Sequence, residues 1–350
     1  MKLELNREYP EPGESEIITE MVRLACNRMQ RLANKTPREN GGMHRGQHAK
    51  PTGCVRAVFT VRDDLPDSLR HGVFRQPDKT FQAIIRFSNS PGTFDPDGKR
   101  SGRGMAIKLL DVEGTPAIPG SKNRCQDFLM FSNPVFPFAT PAEYVKFFEI
   151  READVAGEQV ADLMALVHLA ATHPRHALIA KEIVERKVAS PLELTYWSGS
   201  PYWLGPAAAA GGGTVKYSAV PTFTGTPCPD DPDAMPPDYL SKALERHLKV
   251  REAVFEFRVQ LQTDAVRMPV EDVSVEWEEK LSPPIRVATL TIGVQDVHSQ
   301  GGEALATQCE AMAFSPWNAL AEHRPMGGIN RLRKAVYLAS QDMREARGAC

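Results

Sequence analysis

At 350 residues, 42% of them apolar, the chain can bury a large core as one large domain or two. Lys and Arg (42) nearly balance Asp and Glu (44), and no basic arm or charge block accompanies the formal net charge of −2, so neither nucleic acid nor an anionic membrane is expected as an obligate partner. No apolar run reaches about eighteen residues, so no integral membrane insertion is expected.

The N-terminal stretch MKLELNREYPEPGESE lacks a hydrophobic signal core, and residues 1–14 read as a flexible arm. Residues 15–32 are predicted to be an amphipathic helix with Ile17, Ile18, Met21, Leu24, Ala25 and Met29 as its apolar stripe. A polar loop at 35–42 precedes Met43-His-Arg-Gly-Gln-His-Ala-Lys-Pro-Thr-Gly53, which runs into a β-rich segment at 54–61. Strands are expected at 80–88, 103–111 and 127–132, separated by loops at 89–102 and 112–123. Helices follow at 141–152, 158–172 and 174–188, then short strands at 192–197, 214–220, 253–263 and 284–294. The run AAAAGGG at 207–213 reads as a loop tip. No repeat period, βαβ alternation or GxGxxG after a strand is present. The pattern predicts an α+β fold: an antiparallel β-barrel of about eight strands, a helical insertion and surrounding helices.

The last helix carries the first chemical signal. Residues 331–344 contain no Gly or Pro and follow a Pro/Gly-bearing segment, which predicts a helix with Asn330 as N-cap. Arg333, Tyr337 and Arg344 fall within roughly 40° of one another on it. An Arg one turn before a Tyr holds a cation near the phenol oxygen and favours the phenolate that ferric iron binds. Arg344 lies about 10 Å further along the axis, within reach of a haem propionate. Near the other end, His48 sits just before a strand, where a barrel rim presents it to a cavity. Ser88, ending the next long strand, can accept from Nδ1–H and leave Nε2 as a general base. Asn123 ends a loop, and its amide can donate to a peroxide oxygen without titrating.

Other candidates read as structural. His44, His323 and Trp317 are taken as core or rim residues, and His168, His173 and His176 at i, i+5 and i+8 lack metal-ligand spacing. The acidic run at 229–234 lacks the Gly and closing Glu of a calcium loop. The six cysteines (Cys26, Cys54, Cys125, Cys228, Cys309, Cys350) show no CxxC pairing and read as small apolar groups. That points to a reduced, cytoplasmic protein without structural zinc.

In order along the chain, these motifs resemble the haem catalase superfamily, in a short form akin to catalase-related peroxidases. The resemblance spans roughly Met43 to Arg344. It rests on Arg45 with His48-Ala49-Lys50; Arg86-Phe87-Ser88; Arg103-Gly104-Met105-Ala106-Ile107-Lys108; Asn123 before a Phe-rich strand; Phe314-Ser-Pro-Trp-Asn318; and Arg333, Tyr337 and Arg344. The resemblance implies a catalase-like barrel lacking the C-terminal helical domain, because the chain stops just past the proximal helix at 330–346. Residues 1–42 would form an N-terminal arm and helix, and 43–350 the haem-binding domain. It implies haem b as cofactor, Tyr337 as iron ligand, Arg333 as the partner that keeps it ionised, and Arg45, Arg86 and Arg344 on the propionates. Phe128 and Phe136 would be pocket aromatics, and His48, Asn123 and Ser88 the catalytic set.

The implied reaction has His48 moving a proton between peroxide oxygens while Asn123 orients them. A second peroxide or a small organic electron donor then completes turnover. This chain departs from the family pattern at Gln47, Pro51, Ser90 and Ser101. The resulting more polar channel should weaken selection for hydrogen peroxide over larger organic hydroperoxides. Weak dismutation and peroxidase activity lead; a fatty-acid hydroperoxide-rearranging enzyme and a haem carrier or sensor are the alternatives. A homodimer is expected from the short N-terminal arm.

Overall fold

The strand-forming runs join into one antiparallel sheet in the computed structural model, which describes residues 2–37, 42–152, 158–206 and 211–348. Its strands are β1 (Pro51–Val61), β2 (Thr80–Asn89), β3 (Arg103–Leu110), β4 (Cys125–Phe131), β5 (Tyr196–Trp197), β6 (Tyr202–Leu204), β7 (Gly213–Pro221), β8 (Ala253–Leu261) and β9 (Ile285–Ile292). They are ordered β5-β4-β3-β2-β1-β9-β8-β7-β6, and β5 also pairs with β7. Eight strands therefore close an antiparallel barrel, as the sequence pattern implied. β5 and β6 lie end to end along one edge of β7, through Tyr196↔Ala219 and Tyr202↔Val215. The seam between β4 and β5 is a single pair, Phe131↔Trp197.

Seven α-helices surround the barrel among the described residues: α1 (Glu14–Lys35), α2 (Pro141–Glu152), α3 (Glu158–Thr172), α4 (Pro174–Glu185), α5 (Tyr239–Leu248), α6 (Gln300–Ala311) and α7 (Gly328–Gly348). None is long and apolar enough to cross a membrane. Two go beyond the sequence expectation. α5 is a single short amphipathic stretch after a Pro-rich run. α6 opens on Gly301-Gly302, poor helix formers, and starts because Ser299 Oγ accepts from Gly302 N at 3.2 Å. α7 begins two residues earlier than expected. Asn330 therefore lies in its first turn, where its amide donates to the carbonyls of Pro201 (2.8 Å) and Met326 (3.0 Å) instead of capping the helix.

Alternation along the strands turns one face inward, and the barrel interior is filled. The rings of Phe59, Phe128, Tyr217 and Phe257 meet there at centroid distances of 4.7 to 5.6 Å for the Phe128–Phe257, Phe128–Tyr217, Phe59–Phe257 and Tyr217–Phe257 pairs. His323 belongs to this core. Its Nε2 accepts from Val73 N at 3.0 Å, so the neutral ring carries its proton on Nδ1 and donates to Tyr217 Oη at 2.8 Å. Burial, with a smaller contribution from His71, holds its pKa down at about 3, and it is a structural histidine. With the interior full, any ligand cavity must lie outside the barrel wall. α1 packs there, through Met21 and Leu24, against Val145 and Phe148 of α2 and Leu332 of α7.

One cysteine expectation fails. Cys54 on β1 and Cys309 on α6 form a disulfide across 255 residues of sequence. The reduced-thiol reading does not hold for this pair. No spacing motif marks it, because it exists only once the unforeseen α6 docks on β1. Cys26, Cys125 and Cys228 are free.

Buried charge fastens the loops to the wall. Lys108 Nζ contacts both carboxylate oxygens of Asp127 at 2.6 and 2.8 Å. Asp127 Oδ2 also accepts from Ser315 N at 3.0 Å and Asn318 Nδ2 at 2.9 Å. Asp127→Ala removes the acceptor of four hydrogen bonds from three donor groups and leaves a buried ammonium unpaired. We expect a loss of about 3–5 kcal/mol in unfolding free energy, read by denaturant melts followed by circular dichroism.

Candidate active site

A cavity of about 370 Å³ lies outside the barrel, against β2, β3 and β4 and beneath α1, α2 and α7. That size falls in the range of small-molecule and cofactor sites. Its lining is mainly apolar, with Met21, Met29, Met105, Phe131, Phe136 and Phe148 prominent.

His48 is held on the barrel side by an unusual backbone. Its φ of 54° lies in the left-handed region, which costs a non-glycine residue on the order of 1–3 kcal/mol. The neighbouring hydrogen bonds fix that conformation. His48 N donates to Ser90 O (3.0 Å), and Arg86 donates to the carbonyls of His48 (Nη1, 2.9 Å) and Ala49 (Nη2, 3.1 Å). The imidazole then packs against Gly104 of β3, with Nδ1 3.0 Å from Ser88 Oγ. Only glycine fits beneath it. A Cβ at Gly104 would stand 2.6 Å from both Nδ1 and Cε1 of His48. Enclosure in the cavity wall, then the positive charges of Arg86, Arg333 and Arg45, push the His48 pKa down to about 3, so the ring is neutral at physiological pH.

α7 forms the opposite side. Arg333, Val336, Tyr337, Ser340, Gln341 and Arg344 line the cavity at helical spacing. The Arg333 guanidinium lies 5.5 Å from the Tyr337 ring centroid. Its Nη1 donates to Asn330 Oδ1 (3.1 Å) and Ser200 Oγ (3.3 Å). Burial works against the charge of Arg333, but the phenols of Tyr337 and Tyr202 outweigh it and raise its pKa. Arg331 points away and anchors the start of the helix on Glu8 (2.6 Å), Glu14 (2.6 Å) and Glu271 (2.9 Å).

Three arginines gather at one end of the cavity. Arg45 and Arg86 pair with the Glu310 carboxylate at 2.8 Å each, and Arg344 Nη1 donates to the Glu310 carbonyl at 3.3 Å.

Of the site residues expected from sequence, His48, Ser88, Arg45, Arg86, Phe136, Arg333, Tyr337 and Arg344 line this one cavity. Two do not. Asn123 is exposed, and its amide donates to Asn318 Oδ1 at 3.0 Å, so it braces the segment after α6 and lies outside the cavity. Phe128 faces the barrel interior, because alternation along β4 turns it away from the cavity that Leu129 and Phe131 border. Phe131, stacked on Phe136 at 4.5 Å, is the aromatic found there. Ser101 is likewise buried in a separate network, accepting from Arg103 Nη1 at 2.8 Å.

Cavity-lining residues not foreseen as site residues include Gln47, Ser90 and Ser315. Gln47 and Ser90 stood out in the sequence only as departures from a motif. The pairing of Glu310 with the arginines gave no signal at all, since the helix carrying it was not expected.

No protein-family model matches the chain, and no curated protein matches it. Solved structures do. A fungal catalase aligns with TM-score 0.69 and 19% identity over 90% of this chain and 62% of its own. A bacterial catalase gives 0.65 and 16% over 91% and 60%. Catalase A from Saccharomyces cerevisiae gives 0.70 and 17% over 98% and 67%. The chain has a catalase-like fold and spans about 60–62% of the length of the first two.

The seating of His48 has a pH signature. As pH falls below about 6.5 the unfolded chain takes up a proton here that the folded chain refuses until about pH 3, so folding stability drops through that window. By NMR, the His48 Cε1–H shift should stay constant from about pH 5 to 8. In Gly104→Ala the displaced ring should titrate closer to the ordinary value; a wild-type midpoint near 6.5 refutes this seating.

Proposed function

We propose that this chain is a haem-dependent, peroxide-processing enzyme with weak hydrogen peroxide dismutation, peroxidase activity toward small organic donors, or both. One juxtaposition supports the reading: a neutral imidazole hydrogen-bonded to a serine and an arginine-paired tyrosine line the same apolar cavity. The donor set suits ferric haem b. Tyr337 offers a phenol oxygen to iron, with the Arg333 cation beside it matching an anionic ligand. Phe131, Phe136 and Val336 offer apolar surface to a macrocycle, and Arg45, Arg86 and Arg344 offer guanidiniums to carboxylates. Bound haem would supply the redox chemistry of O–O cleavage.

The remaining work belongs to the chain. With Nδ1–H donating to Ser88 Oγ, His48 Nε2 keeps its lone pair and carries a peroxide proton from one oxygen to the other. Its depressed pKa keeps that lone pair available across the physiological range. Gln47, which precedes His48 in the chain and lines the same cavity, takes the orienting part first assigned to Asn123. Residues 43–350 are the catalytic unit, and the helix within 1–42 covers it through Met21, Ala25, Arg28 and Met29. Fatty-acid hydroperoxide rearrangement is the second reading, favoured by the apolar lining from Met21, Met29, Phe148 and Ile183.

Protein produced with ample haem should show a five-coordinate, high-spin ferric tyrosinate absorption spectrum that changes in Tyr337→Phe. An identical spectrum in that variant removes Tyr337 as the ligand. His48→Asn, which tolerates positive φ, should lower oxygen evolution from hydrogen peroxide, or donor oxidation, by about 10²-fold or more while leaving the spectrum tyrosinate-like. Isomerised lipid product without oxygen evolution selects the second reading.

A further inference from the structure

Two of the arginines at one end of the cavity are already paired with a carboxylate of the chain's own. Glu310 Oε2 accepts from Arg45 Nη1 and Oε1 accepts from Arg86 Nε, both at 2.8 Å. Arg45 Nη2 also donates to the carbonyls of Cys309 (3.0 Å) and Met312 (2.8 Å), which bolts down the C-terminal end of α6. The remaining nitrogens of Arg86 serve the His48 and Ala49 carbonyls.

The next residue along fixes this arrangement covalently. Cys309 is bonded to Cys54, and Cys54 lies directly across the β1–β2 register from Arg86. Two consecutive α6 residues thus grip both members of one cross-strand pair, Cys309 through sulfur and Glu310 through an ion pair. Cys309 is 1% exposed and Cys54 8%, so the bridge is sheltered from reductants and serves as a permanent fastening.

We propose that Glu310 is a built-in partner of the arginines at the carboxylate-binding end of this cavity, fastened on them by Cys54–Cys309, and that a porphyrin carboxylate engages Arg45 and Arg86 only in competition with it. This rests on the haem reading above. Glu310 thereby lowers the affinity for dicarboxylate porphyrins relative to esterified or less acidic ones, and it acts as a specificity-determining residue of the cofactor site. The physical basis is that a guanidinium spent on one carboxylate offers fewer donors, and less net charge, to a second.

The test uses full-length wild type, Glu310→Gln, the double variant Cys54→Ala/Cys309→Ala, and Glu303→Gln as a control on the exposed face of the same helix. Each is titrated with ferric protoporphyrin IX and with its dimethyl ester, and Kd is read by absorbance. Glu310→Gln should tighten the free acid by about tenfold or more, the worth of one charge-assisted hydrogen bond, and change the ester by less than about twofold. The cysteine double variant should move the acid-to-ester ratio the same way, and Glu303→Gln should leave it unchanged. If both porphyrins bind wild type but the ratio is unmoved or reversed in Glu310→Gln and the cysteine variant, Glu310 does not compete and the proposal fails while the haem reading stands. If neither porphyrin binds any of the proteins, the haem reading falls and takes the proposal with it.

Discussion

The guanidinium of Arg86 is the junction on which this site depends. It is buried on β2, and through its three nitrogens it holds two main-chain carbonyls of the His48 segment and the carboxylate of Glu310. The first two contacts stabilise a left-handed histidine that would otherwise relax; the third ties that segment to a helix more than two hundred residues away in sequence. Because the same cation adds to burial in disfavouring protonation of His48, one side chain fixes the position of the imidazole and contributes to its neutrality. Geometry and electrostatics are not separable here.

The barrel contributes by being full. Aromatic rings and the neutral His323 occupy its interior, so the strands can only offer their outer faces to a ligand. Helices α1, α2 and α7 roof the outer face of β2 to β4 and complete a cavity that no single element encloses. Buried ion pairs such as Lys108–Asp127 register the loops against the wall, and the Arg103 network does the same for the segment after β2: Arg103 donates to Asn89 Oδ1 at 2.6 Å and to the Asp97 carbonyl at 2.8 Å.

Local signals made much of this legible in the sequence. The 3.6-residue spacing of Arg333, Tyr337 and Arg344 places all three at the cavity, and strand alternation foretold an antiparallel barrel. The serine at the end of β2 lies beside His48 because β2 runs back along β1. The failures share a cause: each depended on pairing distant parts of the chain. Asn123 was assigned by its distance from a Phe-rich strand, yet its amide bonds to Asn318, far along the chain. Phe128 is one residue out of phase with the outward face of β4, and a shift of one flips a strand side chain to the other side. Cys54–Cys309 and Glu310 needed a helix whose glycine-bearing start hides it from propensity. What propensity and periodicity cannot encode is where an unforeseen helix docks.

A barrel packed solid also divides the labour of the chain in evolution. Side chains that secure folding point inward, while those that select a ligand point outward or sit on the roofing helices, so substitutions in the two sets have little opportunity to interfere. Such a partition lets the chemistry of the outer chamber drift, residue by residue, without eroding the foldability of the wall that supports it.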